Sequence, residues 1–361
     1  MKVLHVGPKN FPPAHGGVEK VVYDLVTGMP DVESHVFVEW RQDAPVERVC
    51  TLPKGLWRQY RAVSRYARRN GIDVIHIHKE AFVPLGMLLK LAGWRCVATI
   101  HGCPWRLRRW PMHIRAAFFT LDYLATCVFD KTAFVGEPDW RLFRKLAVIR
   151  KPVLVRNGVP GGVATAVDAR KGAVYVGRLS PEKNVLRLAQ AADKANVPLD
   201  LYGPMDRRDH NYTQTLLAAV EQSPWVCWRG PIDFSEVRPT LAKYRVFINP
   251  SFAEGLPVSV LEAAAEGLHL VLSDIPQHRS LAMPQCTYVD PSAIDLRPEL
   301  RDQAADAALN RHHVRREFDI SATTQAYLGL YRQALGRTGK DEAHPAGPID
   351  VIGAELPMTR V

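Results

Sequence analysis

Two glutamates in the second half of the 361-residue chain are spaced to hold the two ends of one ligand. Glu254 and Glu262 stand on either side of Gly255-Leu256-Pro257, and Pro257 suits the first turn of a helix. At 1.5 Å of rise per residue, the two carboxylates would lie roughly 10 Å apart along the helix axis, too far for a shared-proton pair or a hydrolase dyad. The helix N-terminus between them offers N–H groups and a positive dipole end to phosphate. The spacing favours an extended sugar–diphosphate–ribose ligand, although such a pair also occurs on ordinary surface helices.

Three other stretches carry groups that bind phosphate or sugar. Arg178 and Lys183 lie five residues apart where a strand turns into a helix, and arginine forks onto phosphate oxygens while lysine supplies a compact charge. Gly16 and Gly17 join the first strand to the first helix, where a backbone N–H can approach a diphosphate closely. His101 ends a strand, at the edge where open α/β sheets bind ligands. Each stretch alone is compatible with a solvated loop or a structural role; together they predict a donor site.

The elements that position these residues alternate regularly. Short apolar runs predict strands at 3–6, 35–38, 74–77, 96–100, 132–135 and 153–155, and then again at 173–176, 199–202, 226–228, 246–248 and 269–272. Amphipathic helical stretches separate them, which favours parallel sheets covered on both faces. We therefore predict an α/β protein with two doubly wound Rossmann-like domains, residues 1–156 and 157–335. The junction falls in a glycine-rich turn at 157–162, the stretch 304–335 is predicted to be helical, and 336–361 is predicted to be a mobile tail.

Taken together, these motifs resemble glycosyltransferase family 4. The resemblance covers roughly residues 1–335, and it rests on the order and spacing of Gly-Gly-Val-Glu at 16–19, His-Gly at 101–102, Gly-Arg-Leu-x-x-x-Lys-Asn at 177–184 and Glu-Gly-Leu-Pro-x-x-x-Leu-Glu-Ala at 254–263. It implies a GT-B fold, in which two Rossmann-like domains bind the donor in the cleft between them, and we expect a C-terminal helix in addition. It also implies transfer from a nucleotide sugar with retained anomeric configuration, with no metal and no cofactor.

The resemblance also implies a role for each matching residue. Arg178 and Lys183 would hold the donor diphosphate and stabilise the leaving phosphate. Glu254 would contact donor-sugar hydroxyls and Glu262 the ribose, while His101 would sit beside the transferring sugar. Backbone contacts to the donor would come from Gly16, Gly17, Gly255, Leu256 and Pro257. His101, Glu254, Arg178 and Lys183 would form the catalytic group, with the leaving phosphate deprotonating the acceptor on a front-side route.

The net charge of +10 lies entirely in the first 150 residues, which carry 23 Lys and Arg against 13 Asp and Glu. Two clusters combine arginine with large aromatic rings: Trp57, Arg58, Arg61, Arg65, Arg68 and Arg69, and then Trp105, Arg106, Arg108, Arg109 and Trp110. Such clusters suit an anionic membrane interface, and a solvated helix face is the alternative. Nucleic-acid binding is disfavoured because the chain shows no nucleic-acid module.

The remaining composition bounds the compartment and the competing functions. The six cysteines form no C-x-x-C pair or metal-like cluster, so we expect reduced thiols and no metal site. No apolar run approaches the roughly 20 residues of a membrane span, and no signal peptide is recognisable. We therefore expect a cytoplasmic protein, peripheral on the inner membrane face, that glycosylates a lipid-linked saccharide or glycolipid in cell-surface polysaccharide synthesis. A sugar-nucleotide epimerase and a non-catalytic membrane scaffold are the alternatives.

Overall fold

The chain folds into two parallel sheets covered by helices. The computed structural model describes residues 1–13, 16–40, 46–107, 109–162, 171–206, 209–296 and 307–336. The strands of the first sheet are β1 (Lys2–Val6), β2 (Glu33–Val38), β3 (Val49–Thr51), β4 (Val74–Ile77), β5 (Cys96–Ile100), β6 (Lys131–Phe134) and β7 (Val153–Leu154). All pair in parallel in the order β3-β2-β1-β4-β5-β6-β7.

The second sheet repeats this architecture. Its strands are β8 (Lys171–Val176), β9 (Leu199–Tyr202), β10 (Val226–Trp228), β11 (Tyr244–Asn249), β12 (His269–Ser273) and β13 (Cys286–Val289), in the order β10-β9-β8-β11-β12-β13. Two doubly wound sheets confirm the predicted α/β fold class. The sequence pattern missed β3 and β13, because short, half-buried strands carry too little periodicity to be recognised.

Helices cover both faces of each sheet. In the first half they are α1 (Gly17–Gly28), α2 (Leu56–Asn70), α3 (Val83–Leu91), α4 (Met112–Val128) and α5 (Glu137–Leu146). In the second half they are α6 (Val185–Lys194), α7 (His210–Gln222), α8 (Phe234–Leu241), α9 (Val258–Ala265), α10 (Pro276–Arg279), α11 (Ala307–Glu317) and α12 (Ile320–Ala334). Because helices in βαβ units run back against the strands, each helix that follows a strand begins at the carboxyl edge of its sheet.

The segment predicted to be helical, 304–335, contains two helices, α11 and α12. Asp319 breaks it by capping α12, where its carboxylate accepts a hydrogen bond of 2.7 Å from the Ser321 N–H. Residues 304–306, like the tail from 337 onward, lie outside the described part of the chain.

The chain crosses between the two sheets at two adjacent places. At the first crossing, the Val159 N–H donates a hydrogen bond of 2.9 Å to the Phe318 carbonyl at the second crossing. A Cβ on Gly158 would lie 2.6 Å from the Asp319 carbonyl oxygen, so only glycine allows this approach. After the second crossing α12 packs against the first sheet, where Tyr327 and Tyr331 are fully buried. The predicted domain limits at 156 and 335 stay predictions.

No helix in the described ranges is long and apolar enough to cross a membrane.

Candidate donor site

The loop before α9 touches the carboxyl edge of the first sheet, which brings the two halves of the site together. A Cβ on Gly255 would lie 1.9 Å from the His101 carbonyl oxygen and 3.0 Å from the Gly102 Cα. A Cβ on Gly136 would lie 3.1 Å from the Gly255 carbonyl oxygen. Because these backbones approach so closely, only glycine fits at position 255, and the loop carrying Glu254 lies against the loop carrying His101.

Glu254 is held in place by a cation and two polar side chains. Its two carboxylate oxygens each lie 2.6 Å from the Lys183 Nζ, and one of them also accepts from the Ser251 Oγ at 2.7 Å and from the Asn249 Nδ2 at 3.3 Å. Burial raises the pKa of Glu254, but Lys183 and the hydrogen bonds outweigh this and hold the pKa below its ordinary value. Glu254 is therefore an ionised acceptor with a fixed orientation.

Two hydrogen bonds between their loops bring Lys183 and Glu254 together, although the two residues lie 71 positions apart. The Phe252 N–H donates to the Glu182 carbonyl at 3.0 Å, and the Asn184 Nδ2 donates to the Pro250 carbonyl at 3.2 Å. These bonds fasten the loop after β8 to the loop after β11. The predicted phosphate cation and the predicted sugar-binding carboxylate therefore share one end of the site.

Arg178 provides an uncommitted cation beside this pair. Its half-buried side chain has no ion pair or hydrogen bond with any residue that the structure describes. Burial lowers the pKa of Lys9, and the positive charge of Arg178 lowers it further. Lys9 lies in the loop after β1 and Arg178 in the loop after β8, so each half of the chain brings one cation to this region. Such a pair is stabilised when an anion such as a diphosphate lies between them.

Glu262 occupies the opposite, buried end of the α9 segment. It is 4% exposed, and among the described residues its carboxylate has no hydrogen-bond partner. The charged groups around it are already paired, Lys20 with Asp24 and Arg238 with Glu266. Burial raises the pKa of Glu262 to about 7, although Lys20 opposes the shift. A buried carboxylate with free acceptor sites is suited to a pair of neighbouring hydroxyls.

The backbone between the two glutamates takes a slightly different course from the prediction. Pro257 precedes the helix, which begins at Val258, so Glu262 is the fifth helical residue. The Leu256 carbonyl accepts from the Asn157 Nδ2 at 3.0 Å, which ties this loop to the crossing segment. Gly255, Leu256 and Pro257 thus form the wall between the two carboxylates.

The start of α1 completes the site from the first sheet. Gly16 has φ 117°, a backbone conformation that favours glycine, and a Cβ there would lie 2.1 Å from the Glu19 Oε2. Apart from the adjacent residues and the backbone of α1 itself, no described atom lies within 4 Å of the position that a Cβ on Gly17 would take. A side chain at position 17 would project into open space at the N-terminus of α1, the kind of position at which helices bind phosphate. Ala14 and His15, next to it, lie outside the described residues.

Sequence comparison identifies the family to which this geometry belongs. The profile described as Glycosyltransferase Family 4 matches residues 15–160, and the profile described as Glycosyl transferases group 1 matches residues 170–293. The chain belongs to glycosyltransferase family 4. This confirms the resemblance found in the motifs, and the enzyme transfers a sugar from a nucleotide-sugar donor.

Relatives of known activity and solved structures agree with this assignment. The chain is 26% identical to a GDP-mannose:cellobiosyl-diphosphopolyprenol alpha-mannosyltransferase of Xanthomonas oryzae pv. oryzae, over 96% of this chain and 97% of that protein. It is 27% identical to a UDP-Gal:alpha-D-GlcNAc-diphosphoundecaprenol alpha-1,3-galactosyltransferase of Escherichia coli, over 58% and 59% of the two chains.

Among solved structures, sucrose-phosphate synthase of Thermosynechococcus elongatus superposes with a TM-score of 0.78 at 17% identity, covering 93% of this chain and 100% of that one. HepE of Anabaena, solved with UDP-glucose, gives a TM-score of 0.73 at 18% identity, covering 91% and 98%. These likenesses show the fold and confirm the predicted GT-B architecture.

His101 of the glycosyltransferase sits at the mouth of a buried histidine network. Its Nε2 lies 3.1 Å from the His78 Nδ1, and the His78 Nε2 lies 3.0 Å from the His5 Nδ1. Burial lowers the pKa of His101 to about 3, with a further contribution from Lys79. His101 is therefore a neutral imidazole, which offers a hydrogen bond rather than a charge to the cleft.

The sequence analysis did not single out His5, His76 or His78. The sequence feature that could have revealed them is a polar side chain within, or directly after, a strand that otherwise reads as a buried apolar run. Their ring nitrogens lie within 4.8 Å of one another, the arrangement of a possible metal site. Both nitrogens of His76 and both nitrogens of His78 already have hydrogen-bond partners, which disfavours metal binding here. The expectation of metal-free transfer remains a prediction.

The arginines predicted to meet a membrane form an exposed stripe along α2. The helix contains no acidic residue, and among the described residues none of its arginines has an ion pair. The exposed side chains are Arg58, Arg61, Arg65, Arg68 and Arg69. Trp57, 65% exposed, stands at the start of α2 on the carboxyl edge of the sheet, the edge that also carries the cleft.

The second predicted membrane cluster is divided between internal and exposed roles. The Trp105 Nε1 donates to the buried Asp122 at 3.2 Å, and the Arg106 Nε donates to the buried Asp139 at 2.7 Å, so neither group is free for lipid. Arg109 reaches across the cleft and donates to the Glu182 carboxylate at 2.7 Å. Of this cluster Trp110 remains exposed, and Arg108 lies outside the described residues.

Proposed function

We propose that the enzyme transfers a hexose from a nucleotide sugar to a polyprenol-diphosphate-linked saccharide, with retention and without a metal ion, in cell-surface polysaccharide synthesis. The donor part of this proposal rests on the arrangement of the charged side chains around the α9 segment. Among the described residues, Glu262 has a buried carboxylate without a hydrogen-bond partner at one end of the α9 segment, and Lys183 pairs with Glu254 at the other end. We place Arg178, which has no ion pair with any described residue, between them.

The donor fits this order of groups. The ribose hydroxyls donate to Glu262, the diphosphate lies against Arg178, Lys183 and the first turn of α1, and the sugar hydroxyls donate to Glu254. Two side-chain cations and a helix N-terminus supply the positive charge that a divalent ion provides in metal-dependent enzymes. This supports leaving-group stabilisation by the protein alone.

The state of Glu254 supports a front-side route. Lys183, Ser251 and Asn249 all engage its carboxylate, so it is fastened as a hydroxyl acceptor rather than free to attack the sugar. On this route the bond from the sugar C1 to the donor phosphate breaks. The acceptor oxygen bonds to C1 on the same face, and the acceptor proton passes to the departing phosphate oxygen.

The acceptor half rests on the relatives and on the basic face of the first sheet. Both relatives described above act on saccharides carried by a diphosphopolyprenol, which places such acceptors at a membrane. The α2 arginines are unpaired by any described residue, and each basic residue near an anionic bilayer contributes about 1 kcal/mol. Exposed Trp57, Trp110 and Met112 accompany them at the starts of α2 and α4, on the cleft edge. We place the docking face there, on the inner side of the membrane.

A transfer assay tests the proposal as a whole. The purified enzyme is incubated with GDP-mannose or UDP-galactose and polyprenol-diphosphate-linked disaccharides, with EDTA present, and nucleoside diphosphate and labelled lipid are both measured. We expect equal release of nucleoside diphosphate and labelled lipid with one donor, and an α-linked product by NMR. A changed sugar without lipid labelling would identify an epimerase. If neither product forms with any donor, the protein would instead be a non-catalytic scaffold.

A further inference from the structure

Three histidines of the first sheet form a continuous hydrogen-bonded chain that ends in the cleft. His5 lies on β1, His78 directly follows β4 and His101 directly follows β5. The two ring-to-ring hydrogen bonds measure 3.0 Å and 3.1 Å. Neighbouring rings are stacked, with centroids 5.2 Å and 5.4 Å apart and an interplanar angle of 25° in both cases. The geometry is that of a rigid file of imidazoles leading from the core to the site.

All three rings are neutral. His5 and His78 are almost completely buried, and burial lowers the pKa of each well below the ordinary range. A neutral imidazole has one N–H and one lone pair. In a row of three such rings, the middle ring must accept a hydrogen bond from one neighbour and donate one to the other. Both hydrogen bonds therefore run in the same direction, and the position of the proton on one ring determines its position on the next.

The surroundings of His5, at the buried end of the three rings, determine the direction of the hydrogen bonds. The His5 Nε2 is buried and has no hydrogen-bond partner among the residues that the structure describes. If the bonds ran inward from His101, this atom would be an unpaired N–H, whereas outward bonds leave only an unpaired lone pair there. Buried N–H groups without partners are rarer than under-satisfied acceptors. Outward bonds make His5 donate to His78 and His78 donate to the His101 Nε2, which leaves the proton of His101 on Nδ1.

We propose that His78 and His5 are positioning residues that fix His101 as a hydrogen-bond donor, through Nδ1–H, to the sugar being transferred. This rests on the proposed function, since it assigns the sugar as the partner. A positive charge develops on the sugar ring as the bond to phosphate breaks, so a cationic group beside it would oppose the reaction. A neutral N–H can bind a sugar oxygen without that repulsion, and a fixed tautomer keeps the donor directed at it.

Substitutions at His78 separate this role from simple packing. His78→Leu removes the bond to His101, while His78→Asn places an amide N–H near the former Nδ1 position. We expect kcat to fall at least about tenfold in His78→Leu and to recover most of that loss in His78→Asn. The magnitude is taken by analogy from partners that orient metal-binding histidines, whose loss costs about 10- to 100-fold. The Kd for free nucleoside diphosphate should change less than about twofold, since the phosphate and ribose contacts remain. Tyr331→Phe, which removes only a hydrogen bond from neighbouring His76, is the matched control and should keep wild-type kcat.

Nitrogen-15 spectra of histidine-labelled protein give a readout that packing alone does not move. In the wild type we expect His101 to show a protonated Nδ1 and an unprotonated Nε2, and in His78→Leu a mixture of tautomers. A protonated Nε2 on His101 in the wild type, or wild-type kcat in folded His78→Leu, would overturn the proposal. If His78→Leu does not fold, the wild-type spectrum and His78→Asn still decide. Absence of transfer by the wild type with every donor refutes the proposed function instead, and the spectrum then still tests the tautomer.

Discussion

At the scale of single residues, Glu262 links function to a cost in stability. Its folded pKa of about 7 lies above its ordinary value of 4.5, so the stability contributed by the protonated form is complete below pH 4.5 and is lost as pH rises through 7. Glu262→Gln should therefore raise the free energy of unfolding at pH 8 by about 1–3 kcal/mol, with a smaller gain at pH 5. Urea titrations at the two pH values measure this.

The same substitution should weaken the donor. A carboxylate accepts from two ribose hydroxyls, and the neutral amide is a poorer acceptor, so the Kd of nucleoside diphosphate at pH 8 should rise about tenfold. For the wild type the Kd should rise as pH falls below 7, and for Glu262→Gln it should not. Calorimetry with a pH-independent wild-type Kd would contradict the ribose assignment.

Lys183 and Glu254 offer a second prediction at this scale. Lys183→Met leaves a buried carboxylate without its cation, which should destabilise the protein by about 2–4 kcal/mol and abolish transfer. The double variant Lys183→Met/Glu254→Gln removes both charges and should regain most of the stability but none of the activity. A single variant as stable as the wild type would show that the ion pair carries little energy.

The sequence located the residue types but not their partners. The Glu254 and Glu262 spacing, the Arg178 and Lys183 loop and His101 were all visible as motifs. The ion pair between Lys183 and Glu254 joins residues 71 positions apart, and the His5–His78 bond spans 73. Such contacts depend on which strands are neighbours, which periodicity alone does not determine.

At the scale of elements, the Arg109–Glu182 pair couples the loop after β5 to the loop that carries Arg178 and Lys183. Arg109→Glu should repel Glu182 and open the cleft, lowering kcat/KM about tenfold, and the charge swap with Glu182→Arg should restore part of it. Arg141→Glu is the matched control, since it breaks an exposed ion pair within α5 with Glu137. Equal activity of Arg109→Glu and Arg141→Glu would refute the coupling.

The α2 stripe makes the membrane proposal testable. Arg61→Glu/Arg65→Glu should lose most of the binding to vesicles containing anionic lipid at low salt, because each reversal replaces an attraction with a repulsion. The control Lys194→Glu/Arg316→Glu makes the same charge change at exposed sites on α6 and α11 and should bind like the wild type. Co-sedimentation of the first variant at the wild-type level would remove α2 from the docking face.

Some elements could be predicted from the sequence and others could not. Buried parallel strands such as β4 and β5 read as mostly apolar runs, and their limits were predicted without error. The helices α4 and α5 were not predicted as such, and the Trp105–Arg106 cluster was assigned to a membrane because its buried partners, Asp122 and Asp139, lie on those helices.

At the scale of the whole molecule, the alternation of elements predicted two sheets, but not the return of α12 to the first one. The Tyr331 hydroxyl lies 2.8 Å from the His76 Nδ1, and the Thr99 Oγ1 donates to the Tyr327 hydroxyl at 3.0 Å. These bonds join the helix that follows the second sheet to the layer beneath the histidine file. A helix that follows the second sheet but packs against the first has no sequence signature that distinguishes it from an ordinary terminal helix.

The central claim is that Glu254 and its partners form the sugar end of a nucleotide-sugar site in a working transferase. Single-turnover transfer by Glu254→Gln tests this most directly, with thermal unfolding and nucleoside diphosphate affinity measured on the same sample. We predict transfer at least about 100-fold slower than in the wild type, with the fold intact and the Kd for nucleoside diphosphate within about threefold. Wild-type transfer by the folded variant would contradict the account.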